Sequence, residues 1–251
     1  LCGLLLYSRD FINFIFNFIV KINKDSIIEG LIIPVFKPFN WTSFDVVKYV
    51  RGVFKRHTQF KKIKVGHAGT LDPLATGLLI ICVGKKTKEI YKYQDQKKTY
   101  VATFKLGATT PSYDLETKIN ETFPTSHINI DLIKETIKNF IGDLEQTPPT
   151  FSALKIGGKR SYDLARSGKK ISLEPRKIHI SKFEILDFKN DEVDCKIECS
   201  KGTYIRSLAY DFGKKLRSGA YLKYLERCSI GNISLKDAIQ VDKISEKFNL
   251  E

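Results

Sequence analysis

Residues 99–106 alternate without a break: Tyr100, Ala102, Phe104 and Leu106 fall on one side, Thr99, Val101, Thr103 and Lys105 on the other. A period of two over that length specifies a strand with one buried face. Leu31–Phe36, the apolar run at 78–83, and the alternating set Val193, Cys195, Ile197 and Cys199 add further strands. Other stretches carry the helical period. Behind Ser43 as a cap, residues 44–56 place Val46, Val47, Val50, Val53 and Phe54 on one face. Asp131 is expected to cap a second helix with Leu132, Ile133, Ile137, Phe140 and Ile141 as its apolar positions, ended by Gly142. A third follows Lys201-Gly202, with Ile205, Leu208, Ala209, Phe212 and Leu216 inward. Strands and helices thus mix without the strict period of a doubly wound sheet. The expectation is an α+β fold with a mixed, largely antiparallel sheet flanked by helices.

The 251 residues are 42% hydrophobic with 17 Phe and 11 Tyr, enough for a sizeable core and too apolar for disorder. The formal net charge is +14. In the first 30 residues Arg9, Lys21 and Lys24 cancel Asp10, Asp25 and Glu29, so the whole excess lies in the folding part. That balance favours a polyanionic partner such as nucleic acid, although a lysine-rich composition also arises from nucleotide bias. The five cysteines (Cys2, Cys82, Cys195, Cys199, Cys228) show no metal spacing. Cys195 and Cys199, four apart on a strand, sit roughly 13 Å apart, too far to share a metal or a disulfide. All five read as thiols of a reducing, cytoplasmic compartment.

Residues 1–28 form an apolar N-terminal extension of uncertain role. Its longer apolar run, Phe11–Val20, is short of the roughly 20 residues that span a bilayer. The chain starts with Leu and contains no Met, which fits a fragment or a mis-set start as well as a functional extension. Residues 29–240 are expected to form one catalytic domain and 241–251 a C-terminal tail. Within the domain, residues 146–173 stand apart: Pro148, Pro149, a Gly-Gly pair, and basic residues interleaved with Phe151 and Tyr162. That composition suits a segment that grips RNA, or a long surface insertion with no partner. Lys48, Arg51 and Lys55 line one face of the first helix, either for phosphate or as a solvated face.

The chemistry points to residues 65–77, Val-Gly-His-Ala-Gly-Thr-Leu-Asp-Pro-Leu-Ala-Thr-Gly. Asp72 is its one acidic side chain, set among Gly66, Gly69 and Gly77 and followed by Pro73. Glycines free the backbone and proline fixes it, so the loop can aim a single carboxylate, or be a tight surface turn. Two more blocks carry information: Pro149–Asp163 (PTFSALKIGGKRSYD) and Glu198–Leu208 (ECSKGTYIRSL).

These blocks, with Lys37-Pro38 and Lys98-Thr99-Tyr100 at matching spacings, resemble the TruB-type tRNA pseudouridine-55 synthases over roughly residues 30–235. The resemblance implies the pseudouridine synthase fold and isomerisation of a flipped-out uridine in the T-loop of tRNA. Asp72 matches the catalytic nucleophile, which attacks the sugar or the base. Arg206 matches an arginine that pairs with it. Tyr100 matches a tyrosine that stacks on the base and helps remove the C5 proton. His67 matches a T-loop contact, Leu225 lines the uracil pocket, Tyr204 offers an aromatic face and Lys37 supports the pocket or a phosphate. The insertion at 146–173 corresponds to one that closes over the T-arm. Many bacterial members continue into a small PUA-type domain, which this chain, ending at Glu251, is expected to lack.

The reaction rearranges one nucleoside without redox, so neither cofactor nor metal is expected. The expected partner is tRNA, with no membrane required and a monomeric state. Two other classes stay open: a non-catalytic RNA-binding module that keeps the scaffold, and a membrane-attached protein resting on residues 4–20.

Overall fold

The computed structural model describes residues 24–58, 62–152, 154–167 and 172–249. The readings of Leu4–Tyr7, Phe11–Val20 and Cys2 lie outside them. Strands and helices run in the order α1 (Lys24–Glu29), β1 (Ile32–Lys37), α2 (Ser43–Thr58), β2 (Val65–His67), β3 (Thr76–Val83), α3 (Ile90–Gln94), β4 (Lys98–Leu106), β5 (Ala108–Thr109), β6 (Glu121–Thr122), α4 (Ile130–Lys138), β7 (Gly142–Gln146). There follow β8 (Lys155–Ile156), β9 (Lys159–Arg160), α5 (Ser161–Arg166), β10 (Arg176–Lys189), β11 (Glu192–Cys199), α6 (Ile205–Lys215), β12 (Ala220–Ile230), β13 (Ile233–Ser234), β14 (Ile239–Gln240) and α7 (Ile244–Lys247). Two compact units divide the chain: Leu1–Gln96 with Glu226–Glu251, and Lys97–Leu225.

In the first unit β1 pairs antiparallel with β3 and parallel with β14, which makes this sheet mixed. The apolar run of β3 is buried on both faces. Leu79, Ile81 and Val83 join the valines of α2 in one core, while Leu78, Ile80 and Cys82 pack with Ile230 and Ile233 in another. Each such side chain contributes about 1.5–3 kcal/mol on burial, so this strand anchors both cores of the unit. Ile27 of α1 is also in the core, as are Val241, Ile244 and Phe248, so both ends of the described chain belong to this unit's packing.

The second unit is antiparallel throughout its long strands, β4 against β11, β11 against β10, and β10 against β7. Tyr100, Ala102, Phe104 and Leu106 are all buried, as the alternation requires, and so are Val193, Cys195, Ile197 and Cys199 of β11. Phe104, Phe183 and Phe212 meet at centroid distances of 5.9–6.0 Å, and Phe140 packs on Phe212 at 5.8 Å. These aromatics seat α6 through Phe212 on the sheet. The expectation of an α+β fold with a mixed, largely antiparallel sheet flanked by helices describes the two units well.

Two caps differ from the expected ones. Thr42, not Ser43, starts α2: its Oγ accepts from Asp45 N at 3.0 Å, and Asp45 Oδ2 accepts from Thr42 N at 3.0 Å. Asn129, not Asp131, starts α4, accepting from Leu132 N at 2.9 Å. In each case the cap lies one or two residues earlier, because a capping oxygen must sit outside the helix to reach an N–H of its first turn. Cys82, Cys195, Cys199 and Cys228 are free thiols. No described helix is long and apolar enough to cross a membrane.

Candidate active site

Asp72 lies in the connection between β2 and β3, half-buried between the buried Leu71 and the exposed Pro73. Its own side of the story is the backbone around it. Ser43 Oγ accepts from Leu71 N at 2.8 Å and donates to Leu71 O at 3.1 Å. Lys37 Nζ donates to the carbonyls of Trp41 (2.6 Å), Pro38 (2.9 Å) and Pro73 (3.3 Å). Arg227 donates from Nε to Leu78 O (2.8 Å), from Nη2 to Gly69 O (3.0 Å) and from Nη1 to Thr70 O (3.4 Å). Asn40 N reaches Pro73 O at 2.9 Å, and Ala75 N closes the turn on Asp72 O at 3.1 Å. The peptide groups on both sides of the carboxylate are therefore held by side chains that are themselves 2% (Ser43), 0% (Lys37) and 1% (Arg227) exposed. A carboxylate on so fixed a backbone is pre-aimed, which is the condition for a reaction that depends on near-attack geometry.

The glycines serve this arrangement. Gly77 adopts φ +105, and a Cβ there would meet Arg227 O at 2.5 Å. A bare backbone at 77 lets β12 pair with β3 in the register Arg227↔Gly77, which brings Arg227 under the loop. Sequence reasoning missed Arg227, although it stands two residues after Leu225. A lone arginine reads as surface, and only burial distinguishes it.

Electrostatics in this cluster is set by burial. Burial pushes the Lys37 ammonium down to about 8; the Asp72 carboxylate pulls the other way and Arg227 adds to the lowering. His67, at the end of β2, is likewise lowered, first by burial and then by Arg227, with the Gly69 backbone opposing. Its imidazole is neutral at pH 7, and its buried Nδ1 has no hydrogen-bond partner among the described residues. Lys37 is thus a strut for the loop backbone, with a charge that offsets that of Asp72.

The second unit presents Tyr100, Tyr204, Arg206 and Leu225. Tyr100 and Leu225 are buried, on β4 and β12. Tyr204 is the residue before α6, and its backbone is gripped by Gln146: Tyr204 N donates to Gln146 Oε1 at 2.8 Å, and Gln146 Nε2 donates to Tyr204 O at 3.0 Å. Ser207 Oγ donates to Thr147 O at 2.8 Å. With the helix entry fixed in this way, Arg206 in the first turn is 4% exposed. It donates from Nη1 to Phe151 O (2.9 Å) and Ser112 O (3.1 Å), and its Nε lies 3.6 Å from Asp114 Oδ2. A buried cation at the positive end of a helix calls for an anion, and Asp114, 5% exposed, is one such carboxylate within this unit. Gln146 and Asp114 were not singled out from sequence, since each acts through partners dozens of residues away.

The basic face of α2 is mixed: Lys48 and Lys55 are exposed, while Arg51 donates from Nη2 to Val65 O at 3.1 Å. In the segment 146–173, residues 153 and 168–171 lie outside the described ones. Its remainder forms the β8–β9 hairpin and α5, with Ser161 Oγ donating to Thr150 O at 2.6 Å. Among the described residues no group of three His, Cys, Asp or Glu side chains could hold a metal ion.

The family model described as the TruB family pseudouridylate synthase N-terminal domain matches residues 55–205. The chain is 51% identical over 222 residues to the tRNA pseudouridine synthase B of Flavobacterium johnsoniae, covering 88% of this chain and 97% of that protein. To the tRNA pseudouridine synthase B of Bacteroides fragilis it is 49% identical over 218 residues, covering 87% of this chain and 94% of that one. It also resembles a solved chain of a Cbf5–Nop10–Gar1 complex, with a TM-score of 0.65, 25% identity, and coverage of 89% of this chain and 59% of that one, so it spans about three fifths of that chain. The single aimed carboxylate, the buried arginine at a helix entry and these matches lead to one conclusion: the chain belongs to the TruB family of pseudouridylate synthases.

Proposed function

We propose that this synthase converts uridine 55 in the T-loop of tRNA to pseudouridine, with Asp72 as the nucleophile. The observation that carries the assignment of Asp72 is the clamping of its neighbours by Ser43, Lys37 and Arg227. The reaction breaks the bond from C1′ to N1, turns the base, forms a bond from C1′ to C5, and moves a proton from C5 to N1. Atoms balance with no oxidant and no transferred group. Asp72 supplies the transient covalent partner, on the sugar or on the base, that keeps the two halves from separating.

The target must leave its stack to reach a fixed carboxylate. Tyr100 and Tyr204 offer faces to the flipped base, and Tyr100 assists removal of the C5 proton. Leu225 lines the uracil pocket. Arg206, held by Asp114, supplies positive charge to the site. His67, neutral and half-buried, is suited to hydrogen-bond the RNA rather than to exchange protons. The tRNA synthase names of the Flavobacterium and Bacteroides relatives support tRNA as substrate, and the charge of +14 supports a polyanion. The segment 146–173, with its basic and aromatic residues, grips the T-arm. The enzyme acts as a cytoplasmic monomer.

The test is tritium release from a tRNA transcript labelled at uridine C5, wild type beside Asp72→Asn. Release by wild type alone, lost when uridine 55 is replaced, is the expected result. Equal release by Asp72→Asn overturns the role of Asp72. Tight tRNA binding with no release from either protein favours an RNA-binding module instead.

A further inference from the structure

The second unit holds a cavity of about 510 Å³ whose lining includes none of the residues assigned above, within the roughly 300–1,000 Å³ usual for small-ligand sites. One wall is a pair of tyrosines. The rings of Tyr113 and Tyr210 stack with centroids 4.1 Å apart and planes 18° apart. Tyr210 sits one turn after Arg206 on α6, and Tyr113 lies between Ser112 and Asp114, two of the residues that receive the Arg206 guanidinium. Lys214 and Arg217, exposed at the end of α6, contribute two cations to the lining, and Glu121 contributes one anion. Neither cation forms a salt bridge or a side-chain hydrogen bond among the described residues. Asp211, near Lys214, has its carboxyl pushed up to about 6 by burial; still a carboxylate at pH 7, it offsets part of that charge.

The backbone gives a second, independent mark. Six described non-glycine residues adopt positive φ: Asn40, Tyr113, Asn190, Asp191, Arg217 and Asn249. Asn and Asp tolerate that region; tyrosine and arginine do so poorly. The two exceptions, Tyr113 at φ 63 and Arg217 at φ 56, both line this cavity. Arg217 occupies the position just past a helix end where glycine is the common choice. Local strain of this kind persists where the surroundings hold it in place, and it concentrates at binding sites. Here it sets an aromatic face and a guanidinium on the same cavity.

Resting on the reading that this enzyme acts on tRNA, we propose that this cavity is a second nucleotide subsite. It takes one unpaired nucleotide of the RNA other than the uridine that reacts. The base lies against the tyrosine pair and the phosphate against Lys214 and Arg217. Stacking on an aromatic face with a cation for the backbone is the general chemistry of single-stranded RNA capture. Asn120 adds a polar group to the lining: its Oδ1 accepts from Thr109 Oγ at 3.1 Å, which leaves its amide N–H groups for a base carbonyl.

Arg217→Gly gives the cleanest test, because it removes the cation while relieving the backbone. The expected result is a melting temperature equal to or above wild type, a Kd for the tRNA transcript raised three- to tenfold, and a log Kd against log salt slope smaller by about 1. Lys214→Ala should act in the same direction, and the double variant more strongly. Tyr210→Phe should bind as wild type while Tyr210→Leu weakens binding. In every variant tritium release at saturating tRNA should stay within twofold of wild type. Unchanged Kd and salt slope in Arg217→Gly and Lys214→Ala overturn the subsite. So does thermal stabilisation of wild type by free uridine monophosphate that Arg217→Gly abolishes without altering tRNA affinity, since the cavity then serves a free nucleotide. Failure of wild type to release tritium at all strikes the proposed function instead, so the two failures are distinguishable.

Discussion

Arg227 Nη2 donates to the carbonyl oxygen of Gly69 at 3.0 Å, across 158 residues of sequence, and the same guanidinium reaches Thr70 and Leu78. It thereby fixes both arms of the loop that carries Asp72. A planar fork spreads its donors over carbonyls on both arms of the loop, a reach that the single ammonium of a lysine does not have.

Arg227→Lys should therefore fold but lose the aim of the loop. We expect single-turnover tritium release to fall on the order of 100-fold, with the Kd for tRNA within threefold of wild type. Arg227→Ala leaves three carbonyls unpaired at a fully buried position and should cost about 3–5 kcal/mol by urea denaturation. Turnover of Arg227→Lys at the wild-type rate would show that the clamp is idle in catalysis.

Ser43 and Thr42 separate capping from loop support. Thr42→Ala removes the cap of α2 and should cost about 1 kcal/mol while leaving kcat unchanged. Ser43→Ala removes both bonds to Leu71, so it should cost about 1–2 kcal/mol and lower kcat as well. Parallel denaturation and turnover assays check this, and a kcat loss confined to Thr42→Ala would reverse the assignment.

Lys37 makes stability depend on pH. Its folded-state value of about 8 lies below the ordinary 10.5, so between these the unfolded chain binds more protons than the folded one. Stability from this group therefore rises as pH climbs from about 8 to about 10.5, and its cost is fully present below about 8, on the order of 3 kcal/mol. The difference in unfolding free energy between wild type and Lys37→Met should grow in favour of wild type from pH 7 to pH 10. Parallel curves for the two proteins would refute it.

Asp114→Asn keeps the shape around Arg206 but removes the anion 3.6 Å from Nε. Turnover should drop roughly 10- to 100-fold, with the melting temperature lowered by several degrees, because a buried guanidinium loses a charged partner. A wild-type rate in Asp114→Asn would mean that the backbone carbonyls of Ser112 and Phe151 suffice to place Arg206.

The strands at 98–106 and 192–199, the buried run of β3 and the inward face of α6 were legible because a period of two or of 3.6 is a local property of the chain. The motifs around Asp72 and Arg206 were legible for a similar reason: each lies within a dozen consecutive residues. The helix starts were read a residue or two late, since Ser43 beside Thr42 and Asp131 beside Asn129 are equally good capping types, and backbone geometry decides between neighbours. What tertiary structure alone decided was the support. Ser43 serves the loop and not its own helix, 28 residues away from the backbone it holds; Lys37 is a buried strut; Arg227, Gln146 and Asp114 act on groups remote in sequence. Sequence determines which residues repeat on a face and which stand together in a motif. It does not show which buried polar side chain finds which carbonyl, because that pairing is settled only when separate elements pack and every desolvated donor must find an acceptor.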